Sequence, residues 1–197
     1  MFIAVEGNEG VGKSSLAQLL SECIPNSLVV REPGSTPLAE RIREILRSGE
    51  ARSPLEEFGL FLTARAALWR EVVQPAIELG RPVITDRCVL SSIVYQGLLG
   101  DPDLIPHMLS LRPSRLPDAI LLLDCPPQVA RERRLALGAA DAWDRAPLSV
   151  YRRRRQAYLD AANLLSCPVH VIDASGSIED VASSALSALR GAPLLVS

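Results

Sequence analysis

The sequence predicts a three-layer α/β domain whose five-stranded parallel sheet carries helices on both faces. Three observations lead there. Five short runs of the 197 residues, at 2–5, 27–31, 82–85, 119–123 and 169–172, are near-continuously apolar, the pattern of parallel strands covered on both sides. Helix-forming segments lie between them. Polar residues close the runs, at Glu6-Gly7, Arg31-Glu32, Asp86-Arg87, Asp124 and Asp173, and ligands of such sheets bind beyond the carboxyl ends of the strands.

Taken in order, Phe2-Ile3-Ala4-Val5 opens the sheet, and a glycine-bearing loop leads from it to a helix at 14–22. The run at 27–31 precedes a helix at 38–47. A long helical segment over 55–79 contains Pro75, which is expected to kink it. The third strand leads to a helix at 91–99, the fourth to helices at 128–137 and 150–165, and the fifth to a last helix at 178–189. Proline and glycine elsewhere mark turns, and the tail after Arg190 reads as frayed. No repeat or linker divides the chain, so a single domain over 1–197 is expected.

Bulk properties narrow the function classes. Hydrophobic residues make up 48% and aromatic residues 4%, so the core should be aliphatic. A formal charge of −2 gives no general pull toward nucleic acid or anionic membrane, and neither is expected as a partner. Cys23, Cys88, Cys125 and Cys167 are scattered without a histidine cluster, which argues against zinc and for buried, reduced thiols. With a strand at the very start there is no room for a signal peptide, and no apolar run nears the ~20 residues of a membrane span. The expectation is a cytoplasmic protein.

The first loop carries the chemistry. Gly7-Asn8-Glu9-Gly10-Val11-Gly12-Lys13-Ser14 is a complete phosphate-binding loop between a strand and a helix. Of 21 basic residues only Lys13 is lysine. A compact ammonium reaches β- and γ-phosphates in a way that a planar guanidinium does not. Gly7, Asn8, Glu9, Gly10, Val11, Gly12, Lys13, Ser14 and Ser15 are the expected nucleoside triphosphate contacts, within a P-loop NTPase fold. A guanine-reading Asn-Lys-x-Asp motif needs a second lysine, so a GTPase is excluded.

Further motifs concern the second substrate. Arg31-Glu32-Pro33-Gly34-Ser35-Thr36 ends the second strand, Phe61-Leu62-Thr63-Ala64-Arg65 lies on the long helix, and Asp86-Arg87 ends the third strand. Ser91-Ser92-Ile93-Val94-Tyr95-Gln96-Gly97 follows closely. In this order, and with Pro117-Asp118, Leu121-Leu122-Leu123-Asp124 and Val171-Ile172-Asp173-Ala174 later, the chain resembles the thymidylate kinase family. That resemblance implies transfer of the γ-phosphoryl group of ATP to dTMP with Mg²⁺, and a homodimer. The leucine-rich segments 55–68 and 91–99 are candidates for its interface.

The resemblance also implies roles. Lys13 and Arg87 would be catalytic, with Glu9 near the acceptor's 3′-hydroxyl. Arg65 and Arg87 would hold the acceptor phosphate, Phe61 would stack on the base, and Tyr95 would lie beneath the deoxyribose. Glu32, Pro33, Asp86, Ser92 and Gln96 complete the substrate set, Gln96 without a stated task, and Ser14 and Asp86 would serve the metal. Relatives without an arginine at Gly10-Val11 carry arginines in a helical lid, here about 134–148. Leu135 and Leu137 stand where arginines are expected, leaving Arg133, Arg134 and Arg145 as candidates, Arg133 and Arg145 being counted as catalytic. Cys88 replaces the aromatic usual after Asp86-Arg87. Arg152 to Arg155 read as a solvated face, and His107 and His170 receive no catalytic role. Two rivals stay open at this point: a different deoxynucleotide acceptor, and a nucleotide-binding regulator with little turnover.

Overall fold

The computed structural model describes residues 1–111, 115–138 and 146–191. The first half runs β1 (Phe2–Gly7), α1 (Lys13–Cys23), β2 (Leu28–Arg31), α2 (Pro37–Arg47), α3 (Pro54–Leu68), a π-helical stretch Trp69–Val73, α4 (Gln74–Glu78) and β3 (Val83–Asp86). It continues through α5 (Val89–Ser92), a second π-helical stretch Ile93–Leu98, a 3-10 turn Pro102–Leu104, α6 (Ile105–Ser110), β4 (Ala119–Asp124), α7 (Pro127–Ala136), α8 (Leu148–Ala162), β5 (Val169–Asp173) and α9 (Ile178–Gly191).

The five strands form one parallel sheet in the order β2-β3-β1-β4-β5. Side chains alternate across it, and the period of two sorts the core into two layers. Ile3 and Val5 of β1 with Leu121 and Leu123 of β4 face Leu16 and Leu20 of α1 and Ala185 and Leu189 of α9. Phe2, Ala4, Ile120 and Leu122 face Phe58 and Leu68 of α3, Ile93, and Tyr158 of α8. Burying each large aliphatic side chain contributes roughly 1.5–3 kcal/mol, so the central strands anchor the fold.

All five expected strands form, but burial on both faces holds only in the centre. β1 is buried at every position, whereas the edge strands β2 and β5 are buried only at Val30 and Ile172. An edge strand has one neighbour and lies partly beyond the covering helices. Helix starts follow local chemistry. The Thr36 hydroxyl accepts from Ala39 N–H ahead of α2, and Ser53 forms a reciprocal capping box with Glu56 ahead of α3, each with proline at the first turn.

Three expectations need correction. The helix expected over 55–79 is interrupted by wide turns at Trp69–Val73, just before Pro75; they accommodate a residue that lacks an N–H and crowds the carbonyl four residues back. The segment 91–99 likewise opens into a π-helical stretch, with Leu99 N–H reaching Val94 O. Residues 102–110, given no element from the sequence because proline was expected to mark turns, are helical, started by the Asp101 side chain accepting from Asp103 N–H. The thiols are also less uniform than expected, since Cys88 and Cys125 are buried, Cys167 is partly covered and Cys23 is exposed. The tail beyond Gly191, Trp143 and Arg145 lie outside the described residues.

Candidate active site

The carboxyl ends of β1, β3 and β2 converge on two joined cavities. The larger, about 820 Å³, is floored by Glu9 to Ser15. Close approach explains two of the glycines in the loop: a Cβ on Gly10 would lie 2.0 Å from Ala130 O, and one on Gly7 would lie 2.5 Å from Leu123 O. Gly12, left-handed at φ 97°, precedes α1 with no side-chain cap, so the N–H groups of its first turn face the cavity without an internal acceptor. Lys13 is buried and donates to Asn8 O at 2.6 Å. Burial first and Arg87 second lower its pKa to about 8. Asn8 and Gly7 support the loop from behind rather than lining the cavity, for Asn8 Nδ2 donates to Tyr151 O at 3.2 Å and Asn8 Oδ1 accepts from Glu9 N–H.

Ser14 donates its hydroxyl to Asp86 Oδ2 across the cavity floor. Asp86 Oδ1 is buried and has no hydrogen-bond partner among the described residues. An orphaned carboxylate oxygen beside a hydroxyl fits a hard cation that takes one or two protein oxygens and fills its shell with phosphate and water. Among the described residues no group of three or more His, Cys, Asp or Glu side chains is placed to hold a metal ion.

The smaller cavity, about 200 Å³, lies between α3 and the α5 region. Glu57, Phe61 and Arg65 recur every four residues on α3 and meet one wall. Cys88, Ser91, Ser92, Tyr95 and Gln96 follow helical spacing on the other, and Glu32 and Pro33 close an end. Arg65 is buried and donates through Nε to Glu32 Oε2 at 2.6 Å and through Nη2 to Ser92 Oγ at 3.0 Å. Gln96 Nε2 donates to Glu57 Oε2 at 3.0 Å. Glu9, Glu32, Arg43 and Arg87 line both cavities and mark where they join.

Arg87 is the centre of that junction. It holds φ 75°, a left-handed conformation uncommon for a non-glycine residue, and its Nη1 donates to Ser91 Oγ and Tyr158 OH at 2.9 and 2.7 Å. Its Nη2 donates to Glu9 Oε1 at 3.2 Å. Glu9 also accepts from Arg154 Nη1 at 3.0 Å and from the Tyr95 hydroxyl. Burial alone would raise its pKa, but Arg87, Arg154 and Lys13 outweigh that and bring it to about 2. Both guanidinium groups lie 5.6 Å from the Tyr95 ring centre. Behind them, fully buried Glu6 accepts from Cys88 N–H, Ser91 N–H and Ser91 Oγ, fixing the start of α5. Burial pushes its pKa up against the pull of Arg87 and these donors.

The structure thus gathers Glu9 to Ser15, Glu32, Pro33, Phe61, Arg65, Asp86, Arg87, Ser92, Tyr95 and Gln96. Arg133 lines the larger cavity, but its guanidinium is occupied by Ala174 O, Ser175 O and Gly176 O at 2.6–3.0 Å, in the loop after β5. Sequence reasoning missed Glu6, Arg43, Glu57, Arg154 and Tyr158. Reading Arg152 to Arg155 as one solvated face is corrected: Arg152 and Arg153 are exposed, Arg154 is buried on Glu9, and Arg155 grips Asp124 through two 2.7 Å bonds. Successive helical residues are 100° apart, so only Arg154 shares the inward face of Tyr151 and Tyr158.

A phosphate loop on a parallel sheet, opening into a second cavity ringed by arginine, defines a P-loop kinase of the NTPase fold. A sequence model of thymidylate kinase matches residues 5–185. The chain is 38% identical to a thymidylate kinase of Shewanella loihica, covering 96% of this chain and 94% of the relative. It is 37% identical to that of Symbiobacterium thermophilum, covering 92% and 88%. A crystal structure of thymidylate kinase from Ehrlichia chaffeensis superposes with a TM-score of 0.75 at 27% identity, covering 96% and 98%. The chain belongs to the thymidylate kinase family.

Proposed function

We propose that the chain transfers the γ-phosphoryl group of ATP to dTMP, giving ADP and dTDP. The observation that carries this is the joining of the phosphate-loop cavity to a base-sized cavity at Arg87 and Glu9. ATP phosphates lie on the Gly10–Ser15 backbone N–H groups and on Lys13. Ser14 and Asp86 would hold Mg²⁺, which would supply positive charge to the phosphates. The base enters between Phe61 and the Ser92–Gln96 wall, and Tyr95 supports the sugar.

Charge balance refines the expected division of labour. Arg65 is already neutralised by its buried pair with Glu32, whereas Arg87 and Arg154 share the carboxylate of Glu9. The acceptor phosphate therefore belongs at Arg87 with Arg43, and Arg65 meets the base edge. Glu9, ionised at neutral pH, is an acceptor for the sugar hydroxyl. A phosphate oxygen of dTMP attacks the γ-phosphorus in line, the new P–O bond forms, and the bridging oxygen leaves with its electron pair on ADP. Positioning and charge carry the reaction, and no side chain needs to take a proton.

Arg134 and Arg145 in the proposed lid, 134–148, would shield the transferred group, and Arg133 holds the loop that borders the donor. ATP as donor and the absence of a disulfide at Cys23, Cys88 and Cys125 support a cytoplasmic location, and no helix of the described residues is long and apolar enough to cross a membrane. For the homodimer, α3 is the better candidate, with Leu55 61% exposed, while the segment 91–99 is largely consumed by the core. Light scattering should give twice the 21.3 kDa chain mass; a particle of one chain mass at micromolar concentration would remove the dimer. The function itself is tested by ADP release with ATP–Mg²⁺ and each nucleoside monophosphate in turn. Strong turnover with dTMP, weaker with dUMP and little with purines is expected, and the absence of dTMP-dependent turnover would overturn the reading.

A further inference from the structure

Glu57 stands on α3 one turn before Phe61 and two before Arg65, on the wall of the acceptor cavity. None of the roles above uses it. Its Oε2 accepts from Gln96 Nε2 at 3.0 Å, and Gln96 is 3% exposed. A carboxylate has lone pairs and no proton to give, whereas a carboxamide donates at one end and accepts at the other. The pair therefore forms in one orientation only, with the amide nitrogen toward Glu57 and the carbonyl Oε1 left over. No described residue donates to that oxygen.

We propose that Glu57 is a specificity-determining positioning residue. By fixing the amide orientation of Gln96, it obliges the acceptor base to present a ring N–H, which Gln96 Oε1 accepts. Thymine and uracil carry that proton at N3 and cytosine does not. The neighbouring Arg65 sharpens the choice. Its Nε and Nη2 are taken by Glu32 and Ser92, which leaves Nη1 to donate to a ring carbonyl. Cytosine would set its N4 amino group against that guanidinium and its bare N3 against Oε1, two mismatches in adjacent positions. A site whose buried polar groups are left unpaired rejects a substrate far more strongly than one that merely loses apolar contact, by up to about 10⁴-fold. The ring methyl that separates thymine from uracil is not read by this pair.

The inference rests on the acceptor cavity's taking a pyrimidine monophosphate, and the test separates the two. With ATP saturating, kcat/KM is measured for dTMP, dUMP and dCMP in the unmodified enzyme, Glu57→Gln and Gln96→Leu. A glutamine at 57 donates or accepts, so Gln96 is free to turn. The dTMP-to-dCMP ratio is expected to fall at least about tenfold in Glu57→Gln, chiefly by a gain with dCMP, while the dTMP-to-dUMP ratio holds. Gln96→Leu, which removes the accepting oxygen, should lower dTMP and dUMP together and leave dCMP near its original value. An unchanged dTMP-to-dCMP ratio in Glu57→Gln would overturn the inference alone, as would a loss shared equally by all three acceptors. An unmodified enzyme inactive on dTMP would overturn both the inference and the function it rests on.

Discussion

Lys13→Ala is expected to abolish phosphoryl transfer, with kcat lowered on the order of 10³-fold or more, while the protein stays folded. The ammonium sits under the phosphate loop with no second lysine in the chain to replace it. Its removal strips Asn8 O of a donor, a cost of about 1–3 kcal/mol against a typical stability of 5–15 kcal/mol. Circular dichroism should therefore match the unmodified protein. The same residue leaves a mark on the pH profile. In the free enzyme Lys13 loses its proton above about pH 8, so kcat/KM for ATP should fall about tenfold per pH unit above that point. Bound phosphate favours the charged amine, so kcat should hold to higher pH. A kcat/KM that stays flat to pH 10 would remove Lys13 from donor binding.

Arg87→Ala should cost about 2–4 kcal/mol in acceptor kcat/KM, through loss of a desolvated, charge-assisted phosphate contact. The geometry makes the loss larger than one contact. Arg87 also orients Glu9 and the hydroxyls of Ser91 and Tyr158, all of which line or support the junction. Near-normal acceptor kinetics in this variant would exclude Arg87 from the phosphate site. A loss seen only in the KM for ATP would move it to the donor.

What the sequence revealed follows from range. The central strands were legible because burial on both faces leaves an uninterrupted apolar run, and the loop from Gly7 to Ser14 because its function fixes residue types at adjacent positions. Phe61 and Arg65 were legible through their match to the family's Phe-x-x-x-Arg motif, a spacing that also sets them on one helical face. Glu57 obeys the same spacing, yet an acid in the first turn of a helix is equally explained by the helix dipole. Arg154 was hidden differently: its neighbours Arg152, Arg153 and Arg155 carry the same side chain, and only the packing of α8 decides which of the four turns inward. The widened turns at Trp69–Val73 and Ile93–Leu98 depend on tertiary packing around proline and glycine, which residue patterns alone do not express.

One arrangement has mechanical meaning. The phosphate loop touches the helices on both sides of the proposed lid, with Gly10 against the Ala130 carbonyl of α7, and Asn8 and Glu9 bonded to Tyr151 and Arg154 in the first turns of α8. The loop is thus a common abutment for the two ends of the chain that spans between them. A displacement of it by an arriving triphosphate is delivered to α7 and α8 at once, so loading of the donor and the placement of these two helices share a single foundation.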